Sequence, residues 1–189
     1  MRAGRLGNMT GFAGIVLAGG TARRLSGVDK PELRVGGMSL LARAVRALAG
    51  AEPVVVCGPQ RPGYDVVWTR EAVPGSGPVA ALAAALERVD TVSIVLLAAD
   101  LPGIRRSTVE RLRAALDDDT DGVVLLDAAG KHQWLTSAWH TAAVRRALPA
   151  DPANASLRRT LGGLRIAGLP AEPGESDDID TPEDLEKHR

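Results

Sequence analysis

Leu17-Ala18-Gly19-Gly20 closes a short apolar run, and Arg23, Arg24 and Lys30 follow within the next ten positions. Adjacent glycines let a backbone approach a ligand closely, and their amides can point at phosphate oxygens. The three cations supply the charge that a polyphosphate needs. Neither of the two common phosphate fingerprints is present: Gly19 is followed directly by Gly20, so G-x-G-x-x-G fails, and no G-x-x-x-x-G-K-[ST] occurs. Lys30 precedes Pro31, and proline biases the residue before it toward extended backbone. A lysine held that way can return its side chain to phosphates on the glycine loop.

Asp100 ends the most apolar run of the chain, Val92 to Ala99. A carboxylate there either meets a cation or caps the turn before Pro102. Magnesium takes one or two carboxylates, with substrate phosphates and waters filling the rest. Asp178 and Asp180 lie just before Thr181-Pro182, which starts a helix. Asp180 there reads as charge complementing the helix dipole, worth about 0.3–1 kcal/mol. The single cysteine, Cys57, closes a buried strand with no histidine nearby and reads as core, not nucleophile.

The elements that must position these residues alternate. Ala13 to Ala18, Pro53 to Cys57, Val92 to Ala99 and Gly122 to Leu126 are continuous apolar runs and read as buried strands. Asp65 to Trp68 reads as a short strand, and Trp134 to Trp139 as another in which five-residue spacing puts the two indoles on opposite faces. Ser39 is expected to cap a helix from Leu40 to about Leu48. Gly77-Pro78 opens a second, through Leu86. Ser107-Thr108-Val109-Glu110 predicts a capping box for a helix to about Leu116. Thr141 to Leu148 and Ala155 to Leu161 read as helices, and Thr181 caps the last one with Pro182 at its first position. Continuous apolar strands between helices mean a three-layer α/β fold, a mostly parallel sheet with helices on both faces. Ligands of such sheets bind outside the carboxyl ends of the strands, which is where Gly19 to Lys30, Cys57 to Arg61, Asp100 to Gly103 and Asp180 fall.

Composition narrows the function. The chain has 189 residues, 45% apolar, and 23 basic residues balance 23 acidic ones. That argues against a nucleic-acid binder, which carries a basic excess. Twenty of the basic residues are arginine, a bias that makes any single arginine weak support for a phosphate site. No run reaches the ~18 apolar residues of a membrane span. A lone cysteine cannot form an internal disulfide and fits a reducing cytoplasm. Residues 1–12 read as a flexible extension, with Met9 an alternative start, and 13–189 as one domain.

Leu17-Ala18-Gly19-Gly20 with Arg24, Gly27 and Val28-Asp29-Lys30 resembles the signature of the molybdenum cofactor guanylyltransferases, the MobA-like group of nucleotidyltransferases. The resemblance continues through Gly77-Pro78-Val79-Ala80-Ala81-Leu82, Asp100-Leu101-Pro102 and Asp178-Ile179-Asp180-Thr181-Pro182-Glu183-Asp184-Leu185. It implies a Rossmann-like nucleotidyltransferase with a nucleotide-binding half (13–106) and an acceptor-binding half (107–189). It further implies magnesium on Asp100 and Asp180, and a nucleotide held by Leu17, Ala18, Gly19, Gly20, Lys30, Gly77 and Asp100. Lys30, Arg24 and Asp100 would be catalytic. The substrates implied are GTP and molybdopterin-bound molybdenum, with cofactor-delivery or acceptor proteins as further partners. The acceptor phosphate pocket falls near His132, Gln133, Arg158 and Arg159, although helix-surface positions explain the two arginines equally well. One departure stands out: Ala72 occupies a position where the family tends to have an acid, with Glu71 one residue early. A cytidylyltransferase for the same cofactor, a sugar-phosphate nucleotidyltransferase and a non-catalytic nucleotide-binding partner are the alternatives. Gly19 favours guanine, because the cytidylyl relatives more often carry alanine there and its Cβ would crowd a larger base.

Overall fold

The structure, a computed structural model, describes residues 11–19, 29–179 and 181–188. The elements run β1 (Phe12–Leu17), a 3-10 turn (Lys30–Glu32), β2 (Arg34–Val35), β3 (Met38–Ser39), α1 (Leu40–Ala47), β4 (Val54–Cys57), β5 (Val67–Thr69) and α2 (Pro78–Leu86). Then come β6 (Ser93–Ala98), α3 (Arg106–Ala114), β7 (Gly122–Leu126), β8 (His132–His140), α4 (Thr141–Ala147), α5 (Leu157–Leu161), β9 (Ile166–Pro170) and α6 (Pro182–Lys187). Seven strands form one sheet in the order β5-β4-β1-β6-β8-β7-β9. Pairing is parallel except at β8, which is antiparallel to both β6 and β7.

The continuous apolar runs are explained by burial on both faces. Along β1, Phe12 and Val16 pack on one side with Leu41, Ala44 and Leu48 of the α1 region and Val109 and Leu112 of α3. Ala13, Ile15 and Leu17 pack on the other with Val79, Leu82 and Leu86 of α2, Val144 of α4, and Leu157 and Leu161 of α5. The expected three layers are therefore present. A third, small cluster joins Val35, Leu40 and Ile179, with Leu33 and Leu185 against it. It seals the β2–β3 hairpin and the start of α1 to the C-terminal segment.

Caps were partly legible. Ser39 Oγ accepts from Ala42 N at 3.1 Å, and Thr181 and Asp184 form a reciprocal capping box, so α1 and α6 begin where expected. The capping box expected at Ser107–Glu110 does not form: α3 starts two residues earlier, with Arg105 at its N-cap and no side-chain cap. Thr108 instead donates to Glu175 at 2.5 Å, and Glu110 accepts from Arg106. A distant carboxylate outcompeted the local pattern.

The two indoles are the other correction. One step along β7, from Val124 to Leu125, spans four along β8, from Ser137 to Gln133. This bulge breaks the strict alternation, and Trp134 and Trp139 lie stacked, centroids 6.5 Å apart.

Candidate active site at the carboxyl edge of the sheet

Gly19 leaves β1 beside the end of β4: Leu17 registers with Cys57, and Ala18 N donates to Cys57 O at 2.8 Å. Among the described residues, a Cβ built on Gly19 meets only Cys57 O, at 3.9 Å. The described residues therefore do not require glycine there. Gly58 is different, because its Cβ would sit 2.8 Å from the Ala18 carbonyl. Any side chain at 58 would push the two loops apart, so Gly58 sets the spacing of the edge. It lies in the stretch Cys57 to Arg61 expected at the ligand edge, but the sequence assigns it no role of its own there.

On the other side of β1, Leu17 O accepts from Ala99 N at 3.1 Å, which brings Asp100 to the same edge. Asp100 is half-buried, and its carbonyl accepts from Ile179 N at 3.3 Å. Ile179 is buried, and Asp178 beside it is exposed. Segment 178–179 is thus delivered to Asp100 across the sequence. Among the described residues no group of three or more His, Cys, Asp or Glu side chains is placed to hold a metal. Magnesium does not need such a group, since one or two carboxylates and substrate phosphates suffice. Asp100 fits that role.

The delivery rests on a residue that the sequence did not single out. Glu175, 1% exposed, accepts from Thr108 Oγ1, from Arg111 Nη1 at 2.8 Å and from Glu172 N at 2.7 Å. Burial pushes its carboxyl up, and the Thr108, Glu172 and Arg111 donors outweigh that and hold it below the usual range. Gly103 backs the anchor, because a Cβ there would meet Gly174 O at 1.9 Å.

Lys30 opens the 3-10 turn and is half-buried. Its neighbour Asp29 is bound by Arg61 through Nε at 2.8 Å and Nη2 at 2.6 Å. Gly20, Arg23, Arg24, Gly27 and Asp180 lie outside the described residues.

The loop after β5 closes on itself. Glu71 accepts from Gly75 N at 2.8 Å, and the Cys57 thiol donates to it at 3.6 Å. Burial first, and then Glu71, push the thiol up to about 12, which agrees with a core role. Ala72 is exposed; the acid one residue early is used as a staple for the loop. Gly77 caps α2 with φ of 92°. Ser76 O accepts from Asn154 N at 2.7 Å, tying this loop to the start of α5.

In the second half, Gln133 donates to Asp127 at 2.9 Å, and Asp127 also accepts from Ala129 N and Lys131 N in the β7–β8 turn. Gln133 is therefore committed to the hairpin. Its neighbours form a ring stack from the edge inward: His132 on Trp134 at 5.4 Å, and Trp134 on the fully buried Trp139. Arg158 and Arg159 are exposed on α5.

A family model described as the MobA-like NTP transferase domain matches residues 14–167. A molybdenum cofactor guanylyltransferase of Bradyrhizobium is 37% identical over 65% of this chain and 63% of its own. One of Rhodopseudomonas palustris is 32% identical over 90% and 87%. The match to the first of these thus spans less than two thirds of that relative's length. Among solved structures, molybdopterin-guanine dinucleotide biosynthesis protein A of Archaeoglobus fulgidus superposes with a TM-score of 0.69 at 21% identity, covering 93% of this chain and 96% of that one. A 2-C-methyl-D-erythritol 4-phosphate cytidylyltransferase of Thermus thermophilus gives 0.68 at 20%, covering 94% and 97%. These two superpositions establish the fold alone.

Proposed function

Because the chain belongs to the MobA-like NTP transferase domain family, we propose that it transfers GMP from GTP to molybdopterin-bound molybdenum, yielding the guanine dinucleotide cofactor and pyrophosphate. The observation that carries this reading is the convergence of Gly19, Gly58 and Asp100 at one sheet edge through the Leu17–Cys57 and Leu17–Ala99 contacts. In the reaction, an oxygen of the acceptor phosphate bonds to the α-phosphorus of GTP. The bond from that phosphorus to the bridging oxygen breaks, and pyrophosphate leaves with the electron pair.

The described residues hold no Ser-His or Cys-His nucleophile, and none is needed. A phosphate monoester has a second pKa of about 6, so it is largely dianionic at pH 7 and requires no general base. What it needs is relief from repulsion by the triphosphate. Asp100 would hold magnesium, which when bound neutralises phosphate charge as it develops. Lys30 would place a point charge on the leaving pyrophosphate, and the Gly19 amide would donate to a phosphate oxygen. The exposed face of the His132–Trp134 stack offers a flat surface at the same edge for a fused-ring acceptor. The relatives' names as guanylyltransferases and the room that the described residues leave at Gly19 support guanine.

The test is pyrophosphate release with the molybdopterin cofactor as acceptor. Release from GTP, dependent on magnesium and on the acceptor, is expected. Release only from CTP, or only with a sugar phosphate, would replace the substrate assignment. No release with any nucleotide would leave a binding protein.

A further inference from the structure

Lys30 stands on a single 3-10 turn, an element too short to hold its own geometry. Two amides define the turn: Glu32 N donates to Asp29 O and Leu33 N to Lys30 O, both at 3.0 Å. What fixes it comes from the β4–β5 connection. Arg61 grips Asp29, the residue before Lys30, with a two-pronged contact through Nε and Nη2. Its third prong, Nη1, donates to Pro59 O at 2.9 Å. Pro59 follows Gly58, the residue pressed against Ala18. On the far side of Lys30, Glu32 accepts from Tyr64 OH at 2.9 Å and lies 3.8 Å from Arg61 Nε. Tyr64 is in turn within 2.8 Å of Ser39 Oγ, the cap of α1.

Arg61 is 9% exposed, while its partner Asp29 is 52% exposed. A buried arginine held by a wet carboxylate is a poor device for stability, since desolvating the guanidinium offsets much of the attraction. It is a good device for geometry, because the planar fork fixes direction as well as distance. The fork also links the turn directly to the loop that sets the glycine edge.

We propose that Arg61 is a positioning residue for Lys30, with Tyr64 as the second point of the same clamp, so that the turn carrying the lysine is held at a set distance from the Gly19–Gly58 edge. This rests on Lys30 acting on the triphosphate. A lysine at 61 would keep the charge and lose the fork, so Arg61→Lys is the informative change; Tyr64→Phe removes the second point alone.

Two readouts on the intact chain separate the clamp from that reading. The first is hydrogen exchange at the Glu32 and Leu33 amides. Arg61→Lys should speed their exchange about tenfold or more while the β6 amides stay as in wild type, and Tyr64→Phe should do so to a lesser degree. The second is a kinetic cycle with Lys30. Lys30→Ala should lower kcat at least about a hundredfold, and Arg61→Lys about tenfold with little change in KM for GTP. Placed together with Lys30→Ala, Arg61→Lys should then add less than about twofold, because the group it aims is gone. Unchanged exchange at Glu32 and Leu33, or an Arg61→Lys loss equally large with and without Lys30, would overturn the clamp. Unchanged turnover in Lys30→Ala would instead overturn the role of Lys30 on the triphosphate, and the exchange readout would still decide whether the clamp exists.

Discussion

At the carboxyl ends of β1, β4 and β6, position is set by main-chain pairing: parallel register carries Gly19, Gly58 and Asp100 to one line, and close backbone approach fixes their spacing. At the β7–β8 end it is set by side chains. Asp127 organises a turn, Ser137 bridges a bulge, and stacked rings take the place of regular pairing. A phosphate-binding edge benefits from the first construction, since amides cannot change rotamer. A surface that meets a larger, flatter molecule can be built by the second. The difference predicts that substitutions in the first region fall on chemistry, and those in the second on stability.

The largest effect is expected at Asp100. Asp100→Ala should abolish turnover and leave the melting temperature near wild type, because the side chain is half-buried at the edge and not packed in a core. Turnover within about tenfold of wild type would remove it as the principal metal ligand.

In the second region Ser137 is the sharpest probe. Its Oγ accepts from the buried Trp139 Nε1 at 2.7 Å and donates to Trp134 O at 2.9 Å. Ser137→Ala strands that indole N–H, which should cost about 1–3 kcal/mol in denaturant unfolding. Nucleotide affinity should not move. A loss of GTP binding with unchanged stability would invert the comparison.

Gly19→Ala should do the reverse. The described protein leaves room for the methyl group, so stability should hold while GTP binding falls more than CTP binding, by about 1–3 kcal/mol of discrimination. Equal losses for both nucleotides would leave position 19 with no say in base choice.

The smallest effect is a pH dependence from Glu175. Its carboxyl is held below its ordinary value of 4.5, so the unfolded chain takes up a proton at a higher pH than the folded one. The stabilisation is complete above that value and declines as pH falls through it toward the folded pKa. Melting temperatures of wild type and Glu175→Gln between pH 7 and pH 3 should converge on acidification. Parallel curves would show that the carboxylate charge at 175 is not what anchors the segment.

Much of the first region was legible in the sequence. Short apolar runs such as Ile94 to Ala99 read as strands buried on both faces, and the residues that end them then fall on the ligand edge. Thr181-Pro182 announced α6 because capping is local. What was not legible depends on contacts far apart in the chain. The β8 bulge flipped the parity of Trp134 and Trp139, which no spacing rule registers. Glu175 pairs across 67 positions with Thr108 and displaces the capping box expected from Ser107. Arg61 falls in the stretch after β4 that the sequence places at the ligand edge, but its pairing with Asp29, 32 positions away, has no local signal.

The most direct measurement is the thermal shift of the intact chain with each of the four ribonucleoside triphosphates, with and without magnesium. A ligand at 100-fold over its Kd stabilises by about 2.7 kcal/mol, a shift well within reach. A guanine nucleotide held through metal-bound phosphates requires that GTP with magnesium give the largest shift and that omitting magnesium sharply reduce it. A larger shift with CTP, or no shift with any of the four, would contradict it.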